Sequence, residues 1–264
     1  MVKIGVRILM ALAALYLAAA AVLYLFQSSF IFPAPQTAST PAPGYEAVTL
    51  TTNDGLSLAA HWRAPLPGQP SVVHFHGNAG SLAGAAAENV AFAESGYGVL
   101  LVEYRGYGGN PGDPSEEGFK LDGRAAMDFL AAQSVPDVAT IVKGHSIGAG
   151  TAMNIALDYR PAALILVAPF TSVPDLAARR APIFPLDLMV RDRFDNLDKA
   201  PRLGVPTLVQ HGRADASIPL AHGKAVADAM TDATFEPIAG AGHDMSGAVS
   251  VQERQIAWLA GLGL

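Results

Sequence analysis

The chain of 264 residues contains no cysteine. That absence excludes disulfides, thiolate chemistry and cysteine-ligated metal sites together. It is compatible with an oxidising compartment without requiring one. Clustered basic residues are also missing: 17 Lys and Arg stand against 23 Asp and Glu, for a formal net charge of −6. With no basic stretch to neutralise phosphates, the composition argues against a nucleic-acid partner. No internal repeat is present, and His61, His74, His211 and His222 show no metal-ligand spacing. Neither a metal nor another cofactor is expected. What the chain has in abundance is apolar side chains, 51% of the total, enough for one large core in a domain of this length.

Charge is missing altogether from residues 8–26, and no charged residue follows until Glu46. As a helix this run spans roughly 28 Å, close to the hydrocarbon thickness of a bilayer. Lys3 and Arg7 precede it, so the positive-inside rule puts the N-terminus in the cytoplasm and the rest of the chain across the membrane, in the periplasm if the source is bacterial. Residues 1–27 are therefore expected to be a signal anchor, and the Pro-, Ala-, Ser- and Thr-containing stretch after it, within 28–44, an extended tether. A cleaved signal peptide, with Ala18-Ala19-Ala20 as the small-residue site, is the competing reading. It would leave the apolar stub 22–26, which favours the anchor.

From residue 45 onward, short apolar strands alternate with helices. Residues 46–52 and 56–62 form a hairpin around Asn53-Asp54-Gly55. Strands follow at 72–76, 99–103, 140–144, 164–167, 207–210 and 234–237. Helices are expected at 82–94, 116–133 (capped by Ser115), 149–159, 220–230 and 249–259. This order implies an α/β fold with a mostly parallel sheet covered on both faces. Residues 170–202 interrupt the alternation and would form a small cap above the carboxyl ends of the strands, or a surface excursion without a substrate role.

The most informative stretch is Gly144-His145-Ser146-Ile147-Gly148, between a strand and a helix. In that context G-x-S-x-G holds a serine hydroxyl clear of the backbone on a tight turn. The pattern alone is weak, because this composition yields about 0.14 matches by chance. A serine also needs a base, and the base a partner that fixes its tautomer. His243 lies in the glycine-rich loop after the last strand, and Asp215 follows the strand 207–210, both at carboxyl strand ends with Ser146. Asp187, Asp192, Asp195 and Asp198 fall in the cap, and Asp244 is too near His243 to orient it. Glu103 is expected to pair with Arg105, and His145 to be a packing residue of the elbow. For the oxyanion hole, the amide of Ile147 and that of Asn78, in His76-Gly77-Asn78-Ala79-Gly80, are the candidate donors, with Ala79 as an alternative to Asn78.

These blocks, with Tyr104-Arg105-Gly106-Tyr107-Gly108 and His211-Gly212-Arg213-Ala214-Asp215, give a chain that resembles the α/β-hydrolase superfamily over about residues 28–262. It most resembles membrane-anchored α/β-hydrolase-domain-containing serine hydrolases of the serine aminopeptidase-like branch. The resemblance implies a Ser146, Asp215, His243 triad, with Asn78 and Ile147 as oxyanion donors. The expected activity is cleavage of carboxylic esters through an acyl-enzyme, on a small-molecule or lipid-like substrate, with the cap residues Ile183, Phe184, Leu186, Leu188 and Met189 suited to an acyl chain. Amidase, peptidase, thioesterase or acyltransferase chemistry with the same triad, and a membrane-tethered binding module without turnover, are the alternatives. The absence of N-terminal cysteines argues against a cytosolic depalmitoylase. The sequence leaves the oligomeric state open.

Overall fold

The antiparallel hairpin of β1 (Glu46–Thr51) and β2 (Ser57–Arg63) forms one edge of an eight-stranded sheet, with Glu46 opposite Trp62 and Thr51 opposite Ser57. The structure is a computed structural model and describes residues 2–264. β3 (Ser71–Phe75), β4 (Gly98–Val102), β5 (Thr140–His145), β6 (Ala163–Val167), β7 (Thr207–Gly212) and β8 (Ala233–Ile238) follow in the spatial order β1-β2-β4-β3-β5-β6-β7-β8. β2 pairs antiparallel with β4, and every pairing beyond β4 is parallel. The helices, in chain order, are α1 (Val2–Ile31), α2 (Leu82–Ala87), α3 (Val90–Glu94), α4 (Glu116–Ala132), α5 (Ile147–Tyr159), α6 (Val173–Ala178), α7 (Leu186–Met189), α8 (Asn196–Lys199), α9 (Leu220–Asp228) and α10 (Val249–Gly261).

The strands β3 to β7 are buried along their whole length, which explains why they read as continuous apolar runs. Their side chains alternate between two cores. Val73 and Phe75 face Phe119, Met127 and Leu130 of α4 and Met153 of α5. Val72 faces Leu82, Phe92, and Val251 and Leu259 of α10 on the other side. Ser115 caps α4 by accepting from the Gly118 amide at 3.0 Å. The order Ser146, Asp215, His243 thus lands at the carboxyl ends of the parallel strands β5, β7 and β8, where open α/β sheets form their sites.

Three expectations need correction. The helix expected over 82–94 breaks at Glu88 and Asn89. Lys143, fully buried on β5, donates to the Glu88 carbonyl at 2.6 Å and to Asn89 Oδ1 at 3.2 Å, so these two residues turn inward instead of continuing the helix. Glu103 does not pair with Arg105. Its carboxylate meets His76 Nε2 at 2.8 Å, while Arg105 binds Asp122 and Asp54, at 2.8 and 2.7 Å.

The third concerns the N-terminal segment. α1 continues to Ile31, and the residues after it are held along the domain. Phe32 is buried in the core beside Phe119 and Phe194. The Pro35 carbonyl accepts from the Gly108 amide at 2.7 Å, and Gln36 Nε2 donates to the Gly106 carbonyl at 2.7 Å. Apolar Phe32 and the free carbonyls around the prolines give this stretch partners that a solvated tether would lack. Lys3–Ile31 is long and apolar enough to cross a membrane.

Candidate active site

β5 delivers Ser146 into a turn with φ 55° and ψ −115°, sparsely populated backbone for a residue with a side chain. The glycines on either side make that turn possible. A Cβ at Gly144 would run into the Gly148 carbonyl, and a Cβ at Gly148 into the Phe75 carbonyl. The Ser146 amide is fixed by the Val167 carbonyl at 2.9 Å. The hydroxyl therefore stands at the head of α5, on the rim of a cavity.

His243 Nε2 lies 3.1 Å from Ser146 Oγ, and its Nδ1 lies 2.8 Å from Asp215 Oδ2. The second carboxylate oxygen of Asp215 accepts from the amides of Ser217 and Ile218, each at 2.8 Å. Burial pushes the Asp215 carboxyl up, but those amides and the imidazole outweigh it and leave the group below the usual carboxylate range. The acid and histidine loops are stitched together by Arg213 N–H to the Ile238 carbonyl and Ala214 N–H to the Ala241 carbonyl, at 3.0 and 2.9 Å. His211 also lies near the acid, but its Nε2 meets the Ile218 carbonyl at 2.9 Å, and burial keeps its pKa down. An alcohol in this chain of contacts can pass its proton to a neutral imidazole held in one tautomer.

The cavity, about 490 Å³, is lined by Ser146, His243, Asn78 and Ile147 together with apolar side chains. Ile147 is the first residue of α5, so its amide has no intrahelical acceptor. Asn78 is clamped: Nδ2 donates to the Ile31 carbonyl at 2.5 Å, and Oδ1 accepts from Tyr107 at 2.9 Å. The His76–Glu103 pair and Tyr104, whose hydroxyl donates to the His76 carbonyl at 2.9 Å, fix the same loop from below.

The cap lies over this cavity. Leu186, Met189 and Val190 line it, as do Phe170 and Leu176. Ile183 and Leu188 point away and are 69% and 86% exposed. Three of the four cap aspartates are engaged elsewhere: Asp187 and Asp195 contact Arg193, and Asp192 accepts from the Glu116 amide.

Two features escaped the sequence reading. α1 contributes Leu23, Gln27, Phe30 and Ile31 to the cavity. His145, expected only to pack, is buried with both ring nitrogens engaged, by Glu88 Oε1 at 3.3 Å and by the His243 carbonyl at 3.1 Å. Glu88 also reaches His74 Nε2 at 3.1 Å, in ion-pair range but out of line for a hydrogen bond. A histidine beside Ser146 was the available signal for this bridge; nothing in the sequence pointed to Glu88.

Known proteins share the family and the fold of this chain. Residues 68–191 match the family described as Serine aminopeptidase, S33. An uncharacterised protein of Mycobacterium tuberculosis is 37% identical over 80% of this chain and 76% of its own length. Protein bem46 of Schizosaccharomyces pombe is 30% identical over 80% of the chain and 77% of its own. Lysophosphatidylserine lipase ABHD12 of Xenopus tropicalis is 31% identical over 59% of the chain, which spans only 45% of that relative. The esterase domain of a Rhodothermus marinus protein superposes with a TM-score of 0.63 at 22% identity, over 81% of this chain and 97% of that one, a likeness that shows the fold. The chain belongs to the α/β-hydrolase superfamily, carries a Serine aminopeptidase, S33 region and is a relative of bem46.

Proposed function

We propose that this chain is a serine hydrolase that cleaves carboxylic esters carrying an apolar acyl group. Ser146 Oγ attacks the acyl carbon while His243 Nε2 takes its proton. Asp215 holds the Nδ1–H and balances the imidazolium that forms. The amides of Ile147 and Asn78 stabilise the oxyanion, each being worth about 2.7–4 kcal/mol in such sites. His243 then protonates the leaving alcohol, and water, activated by the same imidazole, releases the acid from the acyl-enzyme.

The observation that carries this reading is the unbroken contact chain from Ser146 through His243 to Asp215, at 3.1 and 2.8 Å, beside an apolar cavity. The lipase name of the ABHD12 relative supports a lipid-like ester as substrate. α1 serves as a single-pass anchor with the N-terminus cytoplasmic and the hydrolase domain on the far side, as Lys3 and Arg7 favour. A reporter fused after Glu46 tests this topology, and a cytoplasmic readout overturns it. Activity is tested with p-nitrophenyl esters from acetate to palmitate. Turnover of at least one member, abolished in Ser146→Ala, is expected; a Ser146→Ala protein as active as the wild type rejects the reading.

A further inference from the structure

Tyr16 sits in the middle of α1, where its hydroxyl would face lipid without a partner, yet it donates to the Ile183 carbonyl of the cap at 3.0 Å. Its ring stacks on Phe184 with centroids 5.1 Å apart and planes 12° from parallel. Further along α1, Arg191 lies over the Tyr24 ring at 5.4 Å, and Gln27 bonds to the Met189 carbonyl and the Arg191 amide at 3.1 and 2.7 Å. The cap thus runs alongside the anchor helix instead of resting above it.

Depth along that helix follows from its rise. From Arg7, about 30 Å of hydrocarbon ends near Gln27, and Tyr16 lies about 16 Å below Gln27. The cap's polar contacts, Arg191 and Gln27, fall at the interface level. Its tip falls well inside the hydrocarbon. The composition of that tip fits such a place: Ala181-Pro182-Ile183-Phe184-Pro185 carries no charge between Arg179-Arg180 on one side and Asp187 on the other, and Ile183 is 69% exposed.

Its backbone fits as well, because lipid offers nothing to an unpaired amide or carbonyl. Pro182 and Pro185 have no N–H to satisfy. The Ala181 amide is bonded to Ala177, the Phe184 amide to Ala181, and the Leu186 amide to the Phe184 carbonyl. The Pro185 carbonyl accepts from Leu188 and the Ile183 carbonyl from Tyr16. Only the Ile183 amide and the Pro182 carbonyl have no partner among the described residues.

We propose that the cap tip, residues 181–185, is immersed in the bilayer beside α1, so that the cavity over Ser146 opens to the leaflet and receives the acyl chain of a membrane-borne amphiphile. Leu23 and Phe30 of α1 and Leu186 and Met189 of the cap line that cavity with Ser146, and Gln27 and Arg180 add polar groups to the same lining. The proposal rests on the anchor and esterase readings above.

The test uses the full-length chain in phosphatidylcholine vesicles. Because the protein has no cysteine, single variants Leu15→Cys, Ile183→Cys and Val138→Cys take a bimane label at one site each. Nitroxides on the lipid acyl chains should quench the labels at 15 and 183, with both shielded from aqueous iodide, while the label at exposed Val138 shows the reverse. Quenching at 15 with free iodide access at 183 overturns the proposal; iodide access at 15 overturns the anchor reading as well. An Ile183→Asp variant, outside the cavity lining, should lose about tenfold or more of its activity on a long-chain ester held in vesicles, since a carboxylate opposes immersion. It should keep its rate on soluble p-nitrophenyl acetate. Equal rates on the vesicle-borne ester for variant and wild type reject the immersed tip. Loss of all ester hydrolysis in the wild type rejects the esterase reading and leaves the depth measurement to decide the tip.

Discussion

His145 Nε2 donates to the main-chain carbonyl of His243 across 3.1 Å, while its Nδ1 faces Glu88 at 3.3 Å. Burial alone would discharge this imidazole, but the Glu88 carboxylate outweighs burial and holds it above the ordinary histidine value. Glu88 in turn is held far below the usual carboxylate range: burial raises it, and His145 and His74 more than offset that. The contact of buried His145 with half-buried Glu88 therefore braces the loop that carries the proposed base. His145 is a positioning residue in this account, touching the backbone of His243 rather than the reacting atoms.

His145→Ala should lower kcat about tenfold with little change in KM, because the base loses its support while the cavity is intact. It should also cost about 1–2 kcal/mol of stability by taking a partner from half-buried Glu88. The raised value makes the imidazole's share of that stability complete below its unfolded value of 6.5 and lost as pH rises through the folded one. Thermal melts of variant and wild type from pH 5.5 to 8.5 should therefore converge toward alkaline pH. A gap that widens there contradicts the account.

Asp215→Asn should leave the fold in place and reduce kcat about 10⁴-fold, since an amide no longer selects the tautomer with a free Nε2. Steady-state kinetics on a p-nitrophenyl ester measures this. A loss below about tenfold would move the acid's role to another residue.

Tyr107→Phe removes the hydroxyl that anchors Asn78 Oδ1 and leaves the ring's packing against Phe119. One hydrogen bond of about 1 kcal/mol corresponds to roughly a fivefold loss in kcat if Asn78 supplies an oxyanion amide. An unchanged kcat argues that Ala79 or another donor serves instead.

Burial pulls the Lys143 ammonium down to about 7, against 10.5 for the free side chain. The unfolded chain then binds more protons than the folded one between those values, so wild-type stability should rise with pH across that window relative to Lys143→Met. Urea midpoints at about pH 7 and pH 9.5 test the sign. A difference that does not change with pH means that Lys143 stays charged in the folded state.

The parts of this architecture visible in the sequence are those encoded locally. Gly144 and Gly148 frame Ser146 because two carbonyls leave no room for a Cβ, and the parallel run of β7 and β8 puts the loops of Asp215 and His243 at the same sheet edge. What was hidden depends on contacts between distant positions. No local pattern reveals that Lys143 would turn the chain at Glu88, that Glu103 would choose His76 over Arg105, or that the cap would lie along α1 as far back as Tyr16. Each is a pairing settled by packing, where the burial of one polar group dictates which partner it finds.

Ser146, in the proposed mechanism, is the nucleophile activated by His243. Reaction of the full-length protein with a fluorophosphonate, followed by intact mass and peptide mapping, tests it most directly. The account predicts a single adduct on Ser146 that is absent in Ser146→Ala and strongly slowed in His243→Ala. Folded wild-type protein that takes no label, or takes it on another serine, would contradict it.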